Sequence, residues 1–174
     1  QGVSDSGFTA FGPSSVLFYL GAYTAANLTA FFAIVAISSR IDSDQIDDYA
    51  GMVRRSPFLA VALALALIAL IGVPPTSIFI AKIYVFTAAV NSGLTWLAVL
   101  GVINSVVSAY YYVRVIRVMF LEEPLSAEAI PSSVPFKFAL VTAGAAMLWL
   151  GVAPGVILSA AESAVTVLAG IAAR

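Results

Sequence analysis

The stretch Leu70-Ile71-Gly72-Val73-Pro74-Pro75-Thr76-Ser77-Ile78-Phe79-Ile80-Ala81-Lys82 decides how this chain folds. It interrupts an apolar run over residues 57–90. As one helix at about 1.5 Å per residue, that run would be about 50 Å long, too long for one straight crossing of a hydrocarbon core of about 30 Å. Gly72 and the prolines at 74 and 75 weaken helix here, because proline lacks a backbone donor and disfavours helix in the residue before it.

The sequence therefore predicts two half-helices with a break at Gly72, Pro74 and Pro75. At membrane depth a broken helix requires other protein groups or water to satisfy the freed carbonyls, and its exposed ends suit ions in transit. A proline kink that only shapes helix packing is the alternative.

Lys82 follows the break and is the only charged residue between Arg55 and Arg114. An ammonium near the bilayer centre costs about 3 kcal/mol, so this lysine requires an explanation. A lysine that changes between its charged and neutral forms can take up and release protons, as a proton relay does. The alternative is a structural lysine that snorkels to the interface, since only about 12 Å of helix separates it from a turn at Asn91.

The composition is that of an integral membrane protein. The 174 residues are 61% hydrophobic and 10% charged, whereas a soluble domain is about 45 to 50% apolar and about 25% charged. A net charge of −1 gives neither a basic surface for nucleic acid nor a polybasic patch for anionic lipid. The lipid bilayer is therefore an expected partner and nucleic acid is not.

Neither cysteine nor histidine occurs in the chain. A zinc, haem or iron-sulfur site would have to be built by other chains, and nucleophilic triads have few available parts. The acidic stretch after Arg40 resembles a calcium loop only superficially, because it lacks the glycine and glutamate at the sixth and twelfth positions. We therefore predict no catalytic residue, no metal site and no cofactor on this chain.

The hydropathy pattern predicts an all-α, polytopic transmembrane helix bundle that forms a single membrane domain over residues 1–174. The expected elements are about four spans, over 14–38, 57–90 with its break near 72–76, 94–120 and 136–152, and a terminal helix over 156–173. The terminal helix carries Glu162 near its centre. It could cross the membrane, but an interfacial or packed helix is favoured.

Basic residues set the predicted orientation. The first connector, 39–56, contains Arg40, Arg54 and Arg55 near its ends, and Arg114, Arg117 and Lys137 lie on either side of the second, 121–135. The turn at Asn91 has no basic residue. By the positive-inside rule both connectors are cytoplasmic. The tyrosines at 110–112 are typical of an interfacial anchor belt.

Polar residues inside the spans are candidates for a proton pathway. Tyr19, Tyr23 and Asn27 recur at i, i+4 and i+8, which places them on one helical face. An interhelical hydrogen-bonding face is favoured, and a wetted pathway is the alternative. The other candidates are Tyr84, Asn104, Ser105 and Ser108.

Four strings carry a resemblance to a known family. They are Arg55-Ser56-Pro57-Phe58-Leu59-Ala60, Leu70-Ile71-Gly72-Val73-Pro74-Pro75, Phe79-Ile80-Ala81-Lys82-Ile83-Tyr84-Val85-Phe86 and Val102-Ile103-Asn104-Ser105-Val106-Val107-Ser108-Ala109-Tyr110-Tyr111-Tyr112-Val113-Arg114. In order and spacing they resemble the N subunit of respiratory complex I, the proton-translocating NADH-quinone oxidoreductase. Related antiporter-like subunits share the Gly-x-Pro-Pro run, and the Ser-Ala-Tyr-Tyr-Tyr-x-Arg ending favours the N subunit.

The resemblance implies a subunit of fourteen helices, of which this chain corresponds to helices eleven to fourteen. The start at Gln1, without methionine or a basic leader, agrees with a segment of a longer protein. Helix twelve of the family is discontinuous, and Lys82 matches the lysine of its proton-exit half-channel. The family's glutamate and further lysines on helices five, seven and eight lie outside this chain.

The implied partners are those missing helices and the other complex I membrane subunits, in a membrane of the bacterial inner type. The implied function is proton translocation coupled to quinone reduction elsewhere in the complex, with no redox centre on this subunit. Two alternatives remain: a cation/proton antiporter subunit of the Mrp or membrane-bound hydrogenase kind, and a non-transporting membrane scaffold in which Lys82 only anchors a helix end.

Overall fold

The computed structural model describes residues 5–126, 128–131 and 134–172, and within these ranges it contains helices and turns and no strand. The helices are α1 (Asp5–Ile41), a short 3₁₀ helix (Ile46–Tyr49), α2 (Met52–Arg55), α3 (Pro57–Ile71), α4 (Ser77–Asn91), α5 (Thr95–Leu121), α6 (Val134–Val152) and α7 (Gly155–Ala172). The all-α prediction is confirmed. The predicted terminal helix end at 173 and connector residues 127, 132 and 133 lie outside the described residues.

Among the described residues, three helices are long and apolar enough to cross a membrane, over residues 12–41, 95–121 and 134–152. The apolar helices α3 and α4 have 15 residues each, or about 22 Å, so that neither spans a core of about 30 Å by itself. The five residues between them contain the predicted break, and the prediction of a discontinuous helix is confirmed.

Helix α1 lies at the centre of the bundle and packs against α3, α4, α6 and α7. Its inward face is a stripe of small residues, Ala22, Ala26, Ala30 and Ala33, all of them buried. Small side chains at three- and four-residue spacing let neighbouring helices approach closely, which is how transmembrane helices gain packing energy. Helix α5, by contrast, exposes large apolar residues along much of its length, including Trp96 and Val106.

The two charged connectors meet at one end of the bundle. The Arg55 guanidinium donates from Nε to the Glu128 carbonyl at 3.1 Å, and the Ile130 amide donates to the Arg55 carbonyl at 3.0 Å. Gly51 has a φ of +61°, and a Cβ there would lie 2.6 Å from Cδ of Pro124. Both connectors therefore lie on the same side of any membrane that the bundle spans, with the turn at residues 92–94 at the opposite end of α5.

Candidate functional site

The last turn of α3 has its carbonyl groups satisfied by two different routes. Gly72, in the left-handed conformation with a φ of +89°, donates its amide to the Ala69 and Ile68 carbonyls at 2.9 and 3.2 Å. The Val73 amide lies 3.4 Å from the same Ile68 oxygen. A glycine at this position supports such a helix end because it has no Cβ to oppose the positive φ. The carbonyls of the last two residues remain for another donor.

That donor is Lys82 on α4. Its Nζ donates to the Ile71 carbonyl at 2.8 Å and to the Leu70 carbonyl at 3.3 Å. The side chain is half-buried. A helix C-terminus carries partial negative charge, so an ammonium placed there is stabilised electrostatically as well as by hydrogen bonds. Lys82 thus links the second half-helix to the end of the first, and its hydrogen bonds offset part of the cost of partly burying its charge.

The start of α4 is closely packed. Thr76 is buried, and its hydroxyl donates to the Val73 carbonyl at 2.8 Å. Gly151 on α6 lies against this segment, where a Cβ would be 2.6 Å from the Thr76 carbonyl carbon, 2.7 Å from the Ser77 amide nitrogen and closer still to the Pro75 oxygen. The break is therefore held from outside by α6 as well as by Lys82.

Ser77 is a buried hydroxyl without a hydrogen-bond partner among the residues that the structure describes. The residue is 0% exposed and begins α4. An unpaired hydroxyl in an apolar interior is unfavourable, so it marks a weak point of the packing at the break.

Lys82 borders a cleft of about 290 Å³ between the end of α3, α4 and α5. Gly72 and Ser105 line the same cleft. The Ser105 hydroxyl donates to the Gly101 carbonyl of its own helix at 2.9 Å, which leaves the oxygen able to accept a hydrogen bond. Of the residues predicted for a polar pathway, Ser105 is the one that the structure brings to the lysine's cleft.

The other predicted pathway residues lie in separate surroundings. Tyr19 and Tyr23 stack on α1 with ring centroids 5.7 Å apart, and the Asn27 amide donates to the Tyr23 carbonyl at 2.8 Å. Tyr84 packs edge-on against Phe18 at 6.1 Å.

The polar residues of α5 face different grooves. Asn104 lines a different groove, of about 600 Å³, and the Ser108 hydroxyl donates to its carbonyl at 2.8 Å. Such bonds to the residue four positions earlier are the usual way in which serine and threonine are satisfied inside helices.

A family described as NADH:quinone oxidoreductase/Mrp antiporter, transmembrane, has a model that matches residues 4–108, more than half of the chain. The chain belongs to this family. It is 43% identical, over 162 residues, to NADH-quinone oxidoreductase subunit N of Dehalococcoides mccartyi, a match that covers 93% of this chain and 33% of that protein. The chain thus spans about a third of the length of the curated relatives it matches.

Two solved structures contain a chain whose fold is similar to that of this antiporter-family chain. A chain in the structure of respiratory complex I from Thermus thermophilus with bound aureothin is 32% identical, with a TM-score of 0.72 over 84% of this chain and 34% of that one. A chain of the Mrp complex from Dietzia sp. has a TM-score of 0.79 over 89% of this chain and 37% of that one at 20% identity, which shows a shared fold alone. With the family match and the apolar helices, these similarities show a multi-pass membrane protein with the fold that the two chains share.

Three residues at the site were not predicted from the sequence: Thr76, Ser77 and Gly151. Threonine or serine directly after a helix break is the usual signal of a new helix N-terminus. A glycine inside an apolar span signals a close approach of another backbone. Both signals were present, but which backbone approaches Gly151 depends on the packing of α6 against the break.

The connector end of the bundle contains a buried tyrosine close to acidic residues. Tyr49 is 5% exposed, and burial, with the nearby negative charge of Asp44 as a smaller cause, raises the pKa of its phenol to about 12. Ser43 and Asp48 form a hydrogen bond close by. In the part of the chain that the structure describes, no three acidic side chains come together as a metal site would require.

Proposed function

We propose that this chain is part of a proton-translocating subunit of a NADH-quinone oxidoreductase, and that Lys82 carries a proton within it. The observation that carries the proposal is the position of the Lys82 ammonium, half-buried at the broken end of α3 and beside a cleft that Ser105 also lines. The identities of 43% and 32% to complex I proteins support the oxidoreductase over the Mrp alternative, for which the fold alone is shared.

The chemistry of the site follows from what each form of the lysine can donate. The ammonium makes charge-assisted hydrogen bonds to the Ile71 and Leu70 carbonyls. The neutral amine loses the charge that strengthens those bonds. Loss of a proton therefore weakens the link between α3 and α4, so that protonation of Lys82 and the geometry of the break are coupled. Water in the adjoining cleft would supply the exchange partner.

The proposal includes an arrangement in the membrane. The chain corresponds to helices eleven to fourteen of a fourteen-helix subunit, in a membrane of the bacterial inner type. Its connectors 39–56 and 121–135 are cytoplasmic, which the positive-inside rule supports because basic residues cluster at their ends. Lys82 then lies in the half of the broken helix that leads to the opposite side. The partners are the remaining helices of the subunit and the other membrane subunits, and electron transfer takes place on other chains.

A cation/proton antiporter subunit is the second candidate. The shared family description and the similar fold of the Mrp chain favour it. A full-length sequence that matches Mrp subunits outside residues 1–174 would establish it.

Replacement of Lys82 by arginine and by methionine in the full-length protein tests the proposal. Arginine keeps the positive charge and the donors but does not release its proton, whereas methionine removes both. Inverted vesicles are assayed for proton uptake per electron transferred from NADH. The relay predicts that Lys82→Arg assembles normally while fewer protons move per electron, and that Lys82→Met also loses pumping. Lys137→Met, at an exposed lysine of α6, is the matched control, and it should keep both electron transfer from NADH and proton uptake.

A scaffold role makes the opposite prediction. If Lys82 only caps the end of α3, then arginine, which donates to the same carbonyls, retains full pumping. Normal proton uptake in the assembled Lys82→Arg protein would therefore remove Lys82 from the proton pathway.

A further inference from the structure

A groove of about 590 Å³ runs along the outside of α5 and adjoins the cleft at Lys82, since Val106 and Ala109 line both. Its first half is apolar and open. Val106, Tyr110 and Val113 line it and are 67%, 78% and 53% exposed. Spacings of three and four residues place them on one face of the helix. Exposed apolar side chains on a membrane helix present a surface for hydrocarbon.

The second half of the groove is charged and balanced. It is lined by two arginines of α5, Arg114 and Arg117, and by two acidic residues, Asp47 and Glu122. The Arg114 guanidinium lies 3.8 Å from the Asp47 carboxylate, with the two side chains 58% and 79% exposed. That distance is too long for a hydrogen bond, so the guanidinium donors remain able to bind another group. Within the described ranges this is the one ion pair, which leaves Arg117 and Glu122 without an ionic partner there.

The length of the groove matches one leaflet of a bilayer. From Val106 to Arg117 is about 16 Å of helix, and half of a hydrocarbon core of about 30 Å is about 15 Å. The charged half lies at the connector end of the bundle, where Asp47 and Glu122 belong to the two connectors. If the arginines lie at the membrane surface, Val106 lies near the midplane.

We propose that this groove binds a phospholipid whose head group carries both a phosphate and a primary ammonium, as in phosphatidylethanolamine. Arg114 and Arg117 present planar guanidinium donors that suit a phosphate, and Asp47 and Glu122 accept from the ammonium. An acyl chain lies along the apolar half. The charged half of the groove shares no residue with the cleft at Lys82, and the proposal does not depend on the proposed proton pathway.

The balance of two cations and two anions selects this head group over the other common ones. An anionic head group such as phosphatidylglycerol compensates the arginines but leaves the carboxylates unpaired. The quaternary ammonium of phosphatidylcholine has no N–H to donate to Asp47 or Glu122. We expect about a tenfold preference for the primary amine, the effect of one charge-assisted hydrogen bond.

Lipid retention by the full-length protein tests the site. The protein, purified from membranes and stripped of lipid, is exposed to an equimolar mixture of phosphatidylethanolamine, phosphatidylglycerol and phosphatidylcholine with the same acyl chains. Native mass spectrometry then measures the lipid that stays bound. We expect wild type to retain phosphatidylethanolamine, and Arg114→Gln with Arg117→Gln to lose it. Arg54→Gln, at an exposed arginine outside the groove, is the matched control and retains it.

A second variant separates loss of the site from loss of the fold. Asp47→Asn with Glu122→Gln removes both carboxylates that line the groove and leaves its two arginines, so the preference should change to phosphatidylglycerol, a gain that misfolding does not produce. Equal retention of the three lipids by wild type, retention unaffected by the arginine variants, or an unchanged preference in the acidic variant would each overturn the proposal. Retention of no lipid by wild type would also overturn it, since the groove would then be covered by protein.

Discussion

Replacement of Gly72 by alanine should destabilise the protein through two separate effects. Gly72 has a φ of +89°, and a residue with a Cβ in the left-handed region costs about 1 to 2 kcal/mol. The new Cβ would also lie 3.1 Å from Cδ and 3.2 Å from Nζ of Lys82. To relieve this contact the lysine side chain shifts by a few tenths of an ångström, which weakens a hydrogen bond to a charged donor worth up to about 3 kcal/mol. The free energy of unfolding should fall by more than the backbone strain alone, by up to about 5 kcal/mol.

Gly93 provides a matched control. Its φ is +77°, but a Cβ there has no neighbour within 4 Å, so Gly93→Ala carries the backbone strain alone and should cost about 1 to 2 kcal/mol. Both variants are measured in the full-length protein by unfolding in sodium dodecyl sulfate, followed by circular dichroism. In a Lys82→Ala background the cost of Gly72→Ala should fall to that of the control. Equal costs for the two glycine variants in wild type would refute the contact between Gly72 and Lys82.

Three further predictions concern the break and the connectors. Gly151→Ala should destabilise the protein by about 1 to 3 kcal/mol, because its Cβ would meet backbone atoms that cannot rotate away. Gly144→Ala on the same helix, with open space around it, should be neutral or stabilising in the same assay, and equal effects of the two would contradict the packing. Ser77→Ala should be neutral or stabilising because it removes an unpaired hydroxyl. Thr76→Val breaks a hydrogen bond and should lower the free energy of unfolding by about 1 kcal/mol. A clear loss of stability in Ser77→Ala would show that the serine has a partner. The pKa of Tyr49 is raised to about 12 in the folded protein, whereas it is about 10 in the unfolded chain. The contribution of Tyr49 to the free energy of unfolding is therefore fully present below about pH 10. It is lost between about pH 10 and about pH 12, at about 1.4 kcal/mol per pH unit. Unfolding of Tyr49→Phe should therefore depend less steeply on pH between these values than that of wild type, and identical slopes would contradict the assignment.

The break was predictable because its causes are local. Proline lacks an amide hydrogen wherever it occurs, and glycine can adopt a positive φ at the end of a helix because it has no Cβ. The end of α3 at Ile71 and the start of α4 at Ser77 therefore follow from a few consecutive residues. The same holds for the start of α3 at Pro57, where proline occupies the first helical position.

The partners of Lys82 were not predictable, because they depend on how neighbouring helices are rotated. Asn104 and Ser105 are consecutive on α5, yet one lines the cleft of the lysine and the other lines a separate groove. Helix α5 is apolar on nearly all sides, so its sequence does not define which face turns inward. Gly151 is a further case, since it contacts the break from a helix that begins more than fifty residues later in the chain.

The direction of the Lys82 side chain bears on the choice between an anchor and a relay. Side chains in a helix point towards its N-terminus, and the Lys82 ammonium follows this rule by reaching back to the Leu70 and Ile71 carbonyls. It therefore lies at the break, at the end of α4 away from Asn91, and not towards the interface at that turn. A lysine so placed is half-buried, and its charge is stabilised by carbonyls that a neutral donor could also have satisfied. A helix end that needed only a cap could use a serine or threonine at much lower cost in the membrane. The charge itself is thus the feature that capping does not explain, and the arginine variant, which keeps the charge but withholds the proton, is the experiment that separates the two roles.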